Sequence, residues 1–296
     1  MYVVIYRALL DPRPTQERII ARGEEYAVHL MPGPLRIGVS TPVADPTSSQ
    51  IAFDLRHQVR DFPEGPYLAI QALPRTETGD VHPNGWRRAK DLFAQLTALL
   101  DLEFPGIASA VEYEGTMATR VMSTYRVPEE GLWLERPRAY APDDVERTLQ
   151  VRADDLAKLS ERDASRFTLA ARWFRRANDA ENSIDKVLFY YTVLETLPKP
   201  GKKSEVPNAV ARFLVERGFP NLDPQEVKAR LNLGRICGFR GEVVHDGKAN
   251  VEDAEKAVVK DHVDRLRAIA GTCLRLLAGM PPGGELDRFL RAGEST

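Results

Sequence analysis

The segments ASRFTLAARWFRRAND (164–179) and SIDKVLFYYTVLETL (183–197) mark where the chain changes character. In the first, Phe167, Ala170, Ala171, Phe174 and Ala177 recur at intervals of three and four, while Arg166, Arg172, Arg175 and Arg176 take the other sides. That period predicts an amphipathic helix. The second has Ser183 as a helix cap and stops before Pro198. Helical periodicity runs from Asp154 onward. VPNAVARFLVERG (206–218) and DPQEVKARLNLGRICG (223–238) are each opened by a proline and closed by a glycine, and a long apolar stripe follows from Val251 to Leu277. Five helices predict an α-helical bundle over 150–280, with a short polar tail at 281–296.

Upstream the signals are those of strands. Short β-prone runs at Tyr2–Leu9, Tyr26–Leu30, Leu35–Val39, Ile51–Leu55, Tyr67–Leu73, Ala108–Tyr113 and Ala118–Val127 are separated by prolines and glycines. One helix, WRRAKDLFAQLTALL (86–100), interrupts them. This predicts an α+β fold for the chain: a mixed domain over 1–140 with one sheet and a covering helix, then the helical bundle. The Pro-rich segment Pro128–Pro142 reads as the connection. The N-terminal domain has no recognisable ligand; its place beside the bundle suggests a sensor or specificity role.

Composition narrows the classes. The 296 residues carry 41 Lys and Arg against 43 Asp and Glu, a formal charge of −2, so no global field marks a polyanionic partner and any nucleic-acid contact needs a local patch. Cys237 and Cys273 make neither a disulfide framework nor a zinc motif and read as small buried hydrophobes. The opening MYVVIYRALL reads as a strand rather than an export signal, no apolar run approaches a membrane span, and the expected location is the cytoplasm, with no membrane contact. No metal site, phosphate loop or nucleophile elbow appears, so no cofactor is expected.

Three residues attract chemistry. FRGEVVHDG (239–247) sets Arg240 and His245 five positions apart among Gly238, Gly241 and Gly247. On a straight helix those two side chains would diverge by about 140°, so a bend at the glycines is expected, bringing guanidinium and imidazole together. Such a pair suits phosphoryl chemistry: the cation neutralises developing charge and the imidazole moves a proton near neutral pH. Glu195 falls on the same side of its helix as Ile184, Leu188 and Tyr191. A carboxylate on an apolar face needs a partner, unless the helix end lets it reach water. Arg240 is the first choice, with Arg235, Arg230 and His245 as alternatives.

An arginine-rich helix, a second helix ending LETL, a loop, two shorter helices, FRGEVVHDG and a long closing helix resemble, in that order, the HEPN superfamily and its Apea-like branch. The resemblance spans about residues 160–278, some two fifths of the chain. It implies a homodimer through the helical domain, a composite site of two Arg-x4-His motifs, and metal-independent endoribonuclease activity on RNA in a toxin or antiphage defence setting, with an antitoxin or defence protein as a further partner. It assigns His245 as acid or base and Arg240 as stabiliser of the transition state; Glu195 matches the family's early-helix glutamate. Gly241 departs from the polar residue that often follows the motif arginine, and some members are non-catalytic modules for dimerisation or for nucleotide or RNA binding. Lys202, Lys203 and Arg176, from the clusters around Lys199 and Arg172, would then hold substrate phosphates; otherwise they are a solvated loop and helix face. His262 reads as a boundary residue on the closing helix, and His29, His57 and His82 carry no assignment.

Overall fold

The computed structural model describes residues 2–23, 25–32, 35–43, 54–62, 65–72, 85–104, 107–116, 139–197, 205–245 and 255–291. It divides into two compact units, Met1–Asp154 and Asp155–Thr296. The first combines sheet and helix and the second is helical among its described residues, so the chain is α+β.

In the first unit, β1 (Tyr2–Ala8), β2 (Arg18–Arg22), β3 (Tyr26–Met31), β6 (Tyr67–Ala72) and β7 (Ala108–Thr116) form a five-stranded antiparallel sheet of order β2-β3-β6-β1-β7. Central β6 explains its stability: Tyr67, Leu68, Ala69 and Ile70 are successive residues, point to alternate faces, and are all buried. Both faces of the sheet centre are therefore covered. α1 (Gly85–Glu103) packs on β6 and β1 and buries Leu96, Leu99 and Leu100.

β4 (Leu35–Val43) and β5 (Asp54–Phe62) pair with each other, from Leu35↔Phe62 to Val43↔Asp54, as a separate two-stranded sheet. The expectation of one sheet is thus corrected; of the run expected at Ile51–Leu55, Asp54 and Leu55 lie in β5 and residues 51–53 lie outside the described residues. Local β-propensity marks strands but does not name their partners. Strand β2 was not anticipated, being five residues long with an arginine at each end, as suits an edge. The run Ala118–Val127 lies outside the described residues.

The helical period begins earlier than Asp154, at α2 (Pro142–Ala157). The signals were present: proline at a helix start, where its missing N–H costs nothing, and Asp143 and Asp144 in the first turn, where the helix dipole favours them. Arg18 reaches Asp143 at 2.5 Å and Glu146 at 3.3 Å, and Arg152 pairs with Glu103 at 3.1 Å, tying α2 to β2 and α1.

The second unit contains α3 (Glu161–Asp179), α4 (Ser183–Thr196), α5 (Val206–Arg217), α6 (Pro224–Arg230), α7 (Leu233–His245), α8 (Lys256–Leu277) and α9 (Asp287–Arg291). Ser160 caps α3 by accepting from the Asp163 N–H, and Asn182, rather than Ser183, caps α4 by accepting from the Ile184 N–H. α8 packs against α3, α4 and α5, and its second half is buried on every side from Ala268 to Leu274. A helical stretch buried all round belongs at a centre, and the second half of α8 occupies it. The tail expected from residue 281 carries α9, which docks on α6 with Leu286 and Leu290 buried.

Two further expectations change. Residues 223–238 are not one helix: the chain breaks at Asn232, whose φ of 54° lies in the left-handed region that asparagine tolerates better than most residues. Nor does the chain bend at Gly238 and Gly241, because α7 runs through both to His245. Leu233, Ile236, Phe239 and Val243 are buried at helical spacing, and that burial outweighs a cost of about 1 kcal/mol per glycine. A Cβ on either glycine would meet nothing within 4 Å, so neither is required by a close approach.

Candidate functional site

The expected chemistry falls on the seam between α4 and α7. Tyr191 and Glu195 are one turn apart on α4; Cys237 and Arg240 are nearly one turn apart on α7. They meet as two rungs. The Tyr191 hydroxyl donates to Cys237 Sγ at 3.0 Å, and the Arg240 guanidinium donates to Glu195 Oε1 at 3.5 Å. Because 191 meets 237 and 195 meets 240, the two helices run in the same sense along this seam. A diagonal joins the rungs, with Arg240 Cζ 5.5 Å from the centroid of the Tyr191 ring, within cation–π range.

Glu195 therefore takes Arg240 as partner, and its helix end does not release it to water: the side chains are 24% and 20% exposed. The other candidates are otherwise placed. Arg230 reaches Glu226 at 2.6 Å and also the Leu290 carbonyl, and Arg235 is exposed. Burial, followed by the bond to Cys237, pushes the Tyr191 phenol well above its ordinary value and keeps it a neutral donor. Cys237 is half-buried, unlike Cys273, whose full burial in α8 pushes its thiol up.

His245 is not brought to this pair. It is exposed in the last turn of α7, and with that helix regular, Arg240 and His245 diverge by about 140°. The expected convergence within one chain is corrected accordingly. Among the described residues His245 has neither a hydrogen bond nor an ion pair. Asp246 and Gly247 lie outside the described residues.

Behind Arg240, α7 meets α8. Phe239 packs edge-on against His262, with ring centroids 5.5 Å apart. His262 is only 2% exposed and its Nδ1 is buried without a hydrogen-bond partner. Burial is the main cause lowering its pKa from 6.5; Arg235 and Arg265 add to this, while Asp261 and Glu242 oppose it. His262 is a core residue rather than the boundary residue the stripe suggested. Periodicity marks the buried side of α8 but cannot say how deep its edge lies.

Of the substrate-binding candidates, Lys202 and Lys203 lie outside the described residues, as does Lys199. Arg176 is exposed near the end of α3, with Cζ 4.8 Å from the Trp173 ring centroid. A cavity of about 290 Å³ between the α5–α6 turn and α9, lined by Phe219, Leu222, Arg230 and Leu290 among others, contains none of Glu195, Arg240 and His245. Among the described residues no three His, Cys, Asp or Glu side chains group to hold a metal, and no helix is long and apolar enough to cross a membrane. Comparison of the chain with family models, with curated proteins and with solved structures finds no match.

Proposed function

We propose that the helical unit is a HEPN-like endoribonuclease module that acts on RNA as a homodimer, without a metal. The observation supporting this reading most directly is the Glu195–Arg240 ion pair across α4 and α7, with His245 exposed just over one turn further along the same helix. The pair keeps a guanidinium at a fixed place with a fifth of its side chain in solvent, and the imidazole is free to meet a phosphate.

The divergence of Arg240 and His245 sets the architecture of such a site. One chain cannot bring both to one phosphate, so two copies of α7, related by a two-fold axis, supply two guanidiniums and two imidazoles. RNA carries its own nucleophile in the 2′-hydroxyl. One His245 accepts the proton of that hydroxyl as oxygen attacks phosphorus, and the second copy's His245 protonates the departing 5′-oxygen, giving a 2′,3′-cyclic phosphate. Arg240 faces the charge that accumulates on the non-bridging oxygens. A cytoplasmic location, an antiphage or toxin role and an antitoxin-like partner belong to the same proposal through the family resemblance.

A second reading is a non-catalytic module of the same kind, used for dimerisation or for binding nucleotides or RNA. The regular course of α7 through Gly241 favours it, since no polar side chain follows Arg240 to complete the motif. Incubating purified protein with single-stranded RNA in EDTA, beside Arg240→Ala and His245→Ala and with mass measured by light scattering, separates the two. Cleavage that is lost in both variants supports the nuclease. Intact RNA with a retained dimer supports the module.

A further inference from the structure

On α3, Arg162, Arg166, Leu169, Trp173 and Arg176 fall within an arc of about 80° at 100° per residue, over a rise of about 21 Å. This arc borders the buried Phe167, Ala170, Ala171, Phe174 and Ala177, its centre about 120° from theirs. Leu169 is 47% exposed, and Arg162 and Arg176 are exposed at the two ends. The arginines of α3 differ in how they are held. Arg166 pairs with Asp163 at 3.2 Å and Arg175 with Asp179 at 3.7 Å, whereas Arg162 and Arg176 have no acidic partner among the described residues. Arg176 lies instead over Trp173, and Trp173 lies 5.7 Å from Phe189 of α4 at an interplanar angle of 31°. Phe189, Trp173 and Arg176 thus make successive tiers, from half-buried to exposed.

We propose that this stripe is a binding surface for single-stranded RNA, in which the Arg176 guanidinium is the outer tier on which an unpaired base stacks. The proposal rests on the RNA reading of the helical unit and names where the strand lies. A guanidinium is planar and weakly hydrated, so it stacks on a ring while its N–H edge still donates to a phosphate oxygen. Trp173 holds one side of it, which lowers the entropy lost when a base covers the other. Arg162 and Leu169 continue the track, a cation for a phosphate and an apolar patch for a sugar or base. A duplex does not fit, because its bases are stacked on one another already.

Charge argues against two other occupants. A second copy of α3 placed antiparallel along the stripe would set the Arg162 end against the Arg176 end, and a parallel copy would set like against like; both oppose guanidinium to guanidinium. A lipid surface needs a broad apolar face, and that face of α3 is buried inside the unit.

The test uses the full chain and a fluorescein-labelled 12-nucleotide oligoadenylate, read by anisotropy, with His245→Ala in every protein so that the strand stays intact. Arg176→Ala is expected to weaken binding about tenfold, the scale of one base–platform stack. Arg176→Lys keeps the charge but not the plane; it should remain about threefold or more weaker on oligoadenylate while binding inorganic polyphosphate as the parent does. Arg162→Gln should lower the salt slope by about one. All three positions are exposed or replaced conservatively, and unchanged melting shows that folding is intact. Parent-like affinity in Arg176→Ala, full recovery in Arg176→Lys, or no binding of the oligonucleotide at all would overturn the proposal. Failure here is distinct from failure of the nuclease reading: RNA cut by the His245-containing chain with no effect of Arg176 removes the stripe alone, and RNA held through Arg176 but never cut removes the nuclease alone.

Discussion

The two sides of α7 are built on different physics. Toward α4 the contact is polar, with the Tyr191–Cys237 hydrogen bond and the Glu195–Arg240 ion pair. Toward α8 it is aromatic and buried, with Phe239 against His262. Hydrogen bonds and ion pairs add little net free energy, because the same groups bind water when the chain unfolds; they are directional, so they fix register. Ring burial is not directional and contributes adhesion. Helix α7, which also packs on α5 and α6, is thus aligned along the α4 seam while the buried ring toward α8 helps to hold it. Arg240 sits on the aligning seam.

That contrast can be broken from the adhesive side first. Phe239→Ala removes a ring only 8% exposed and should cost about 3–5 kcal/mol of unfolding free energy, measured by urea titration followed by circular dichroism. A loss below that of any single change on the polar seam would show that the buried ring is not what helps to hold α7. Glu195→Gln should cost less, about 1–3 kcal/mol, since it leaves a largely covered guanidinium without its counter-charge. The double change Glu195→Leu with Arg240→Met should restore much of that stability while abolishing the RNA cleavage proposed for the helical unit. If Glu195→Gln alters neither melting nor cleavage, the ion pair positions nothing.

Acid acts on the adhesive seam as well. His262 resists protonation in the folded chain and titrates near 6.5 once unfolded, so below that pH the unfolded state takes up more protons. Stability should therefore be full above about pH 6.5 and fall as the pH drops through it, by less than either substitution above near pH 6. Comparing melting temperatures at pH 7.5 and 5 for the parent and for His262→Leu checks this: the acid loss should shrink in the variant. An equal loss in both would place the acid sensitivity elsewhere. The smallest effect is expected from Tyr191→Phe, about 0.5–1.5 kcal/mol, because only the hydroxyl leaves and the ring stays under Arg240. Its value lies in cleavage assays, where a loss larger than the stability change would show that register, rather than adhesion, is what this rung provides.

Some of this was legible in the residues. The switch from period two to period three-and-four, the apolar stripe of α3, and the need of Glu195 for a partner or for water all follow from local spacing and from the cost of a buried charge. The Tyr191–Cys237 rung was not legible. Tyr191 shared a side of α4 with Glu195, and nothing in the chain says that a thiol 46 positions later faces its hydroxyl. The start of α2 at Pro142 is marked in the sequence only by the aspartates that follow it, because prolines crowd the preceding segment. Glycine misled in the opposite direction. At Gly238 and Gly241 the chain stays helical, while it turns at Asn232.

By itself the sequence determined which segments are strands and which are helices over most of the described chain, and that Glu195 needed either a partner or a route to water, because these depend on neighbours within a turn or two and on solvation. Tertiary structure decided that Arg240 provides that charge and that Arg240 and His245 diverge. It also decided that His262 is buried and that Arg176 is held over Trp173. The partner of Glu195 and the depth of His262 depend on which helix faces which, and that is set by the burial of whole apolar faces rather than by any local run of residues; the divergence within α7 and the Arg176–Trp173 contact within α3 follow from the regular course of those two helices.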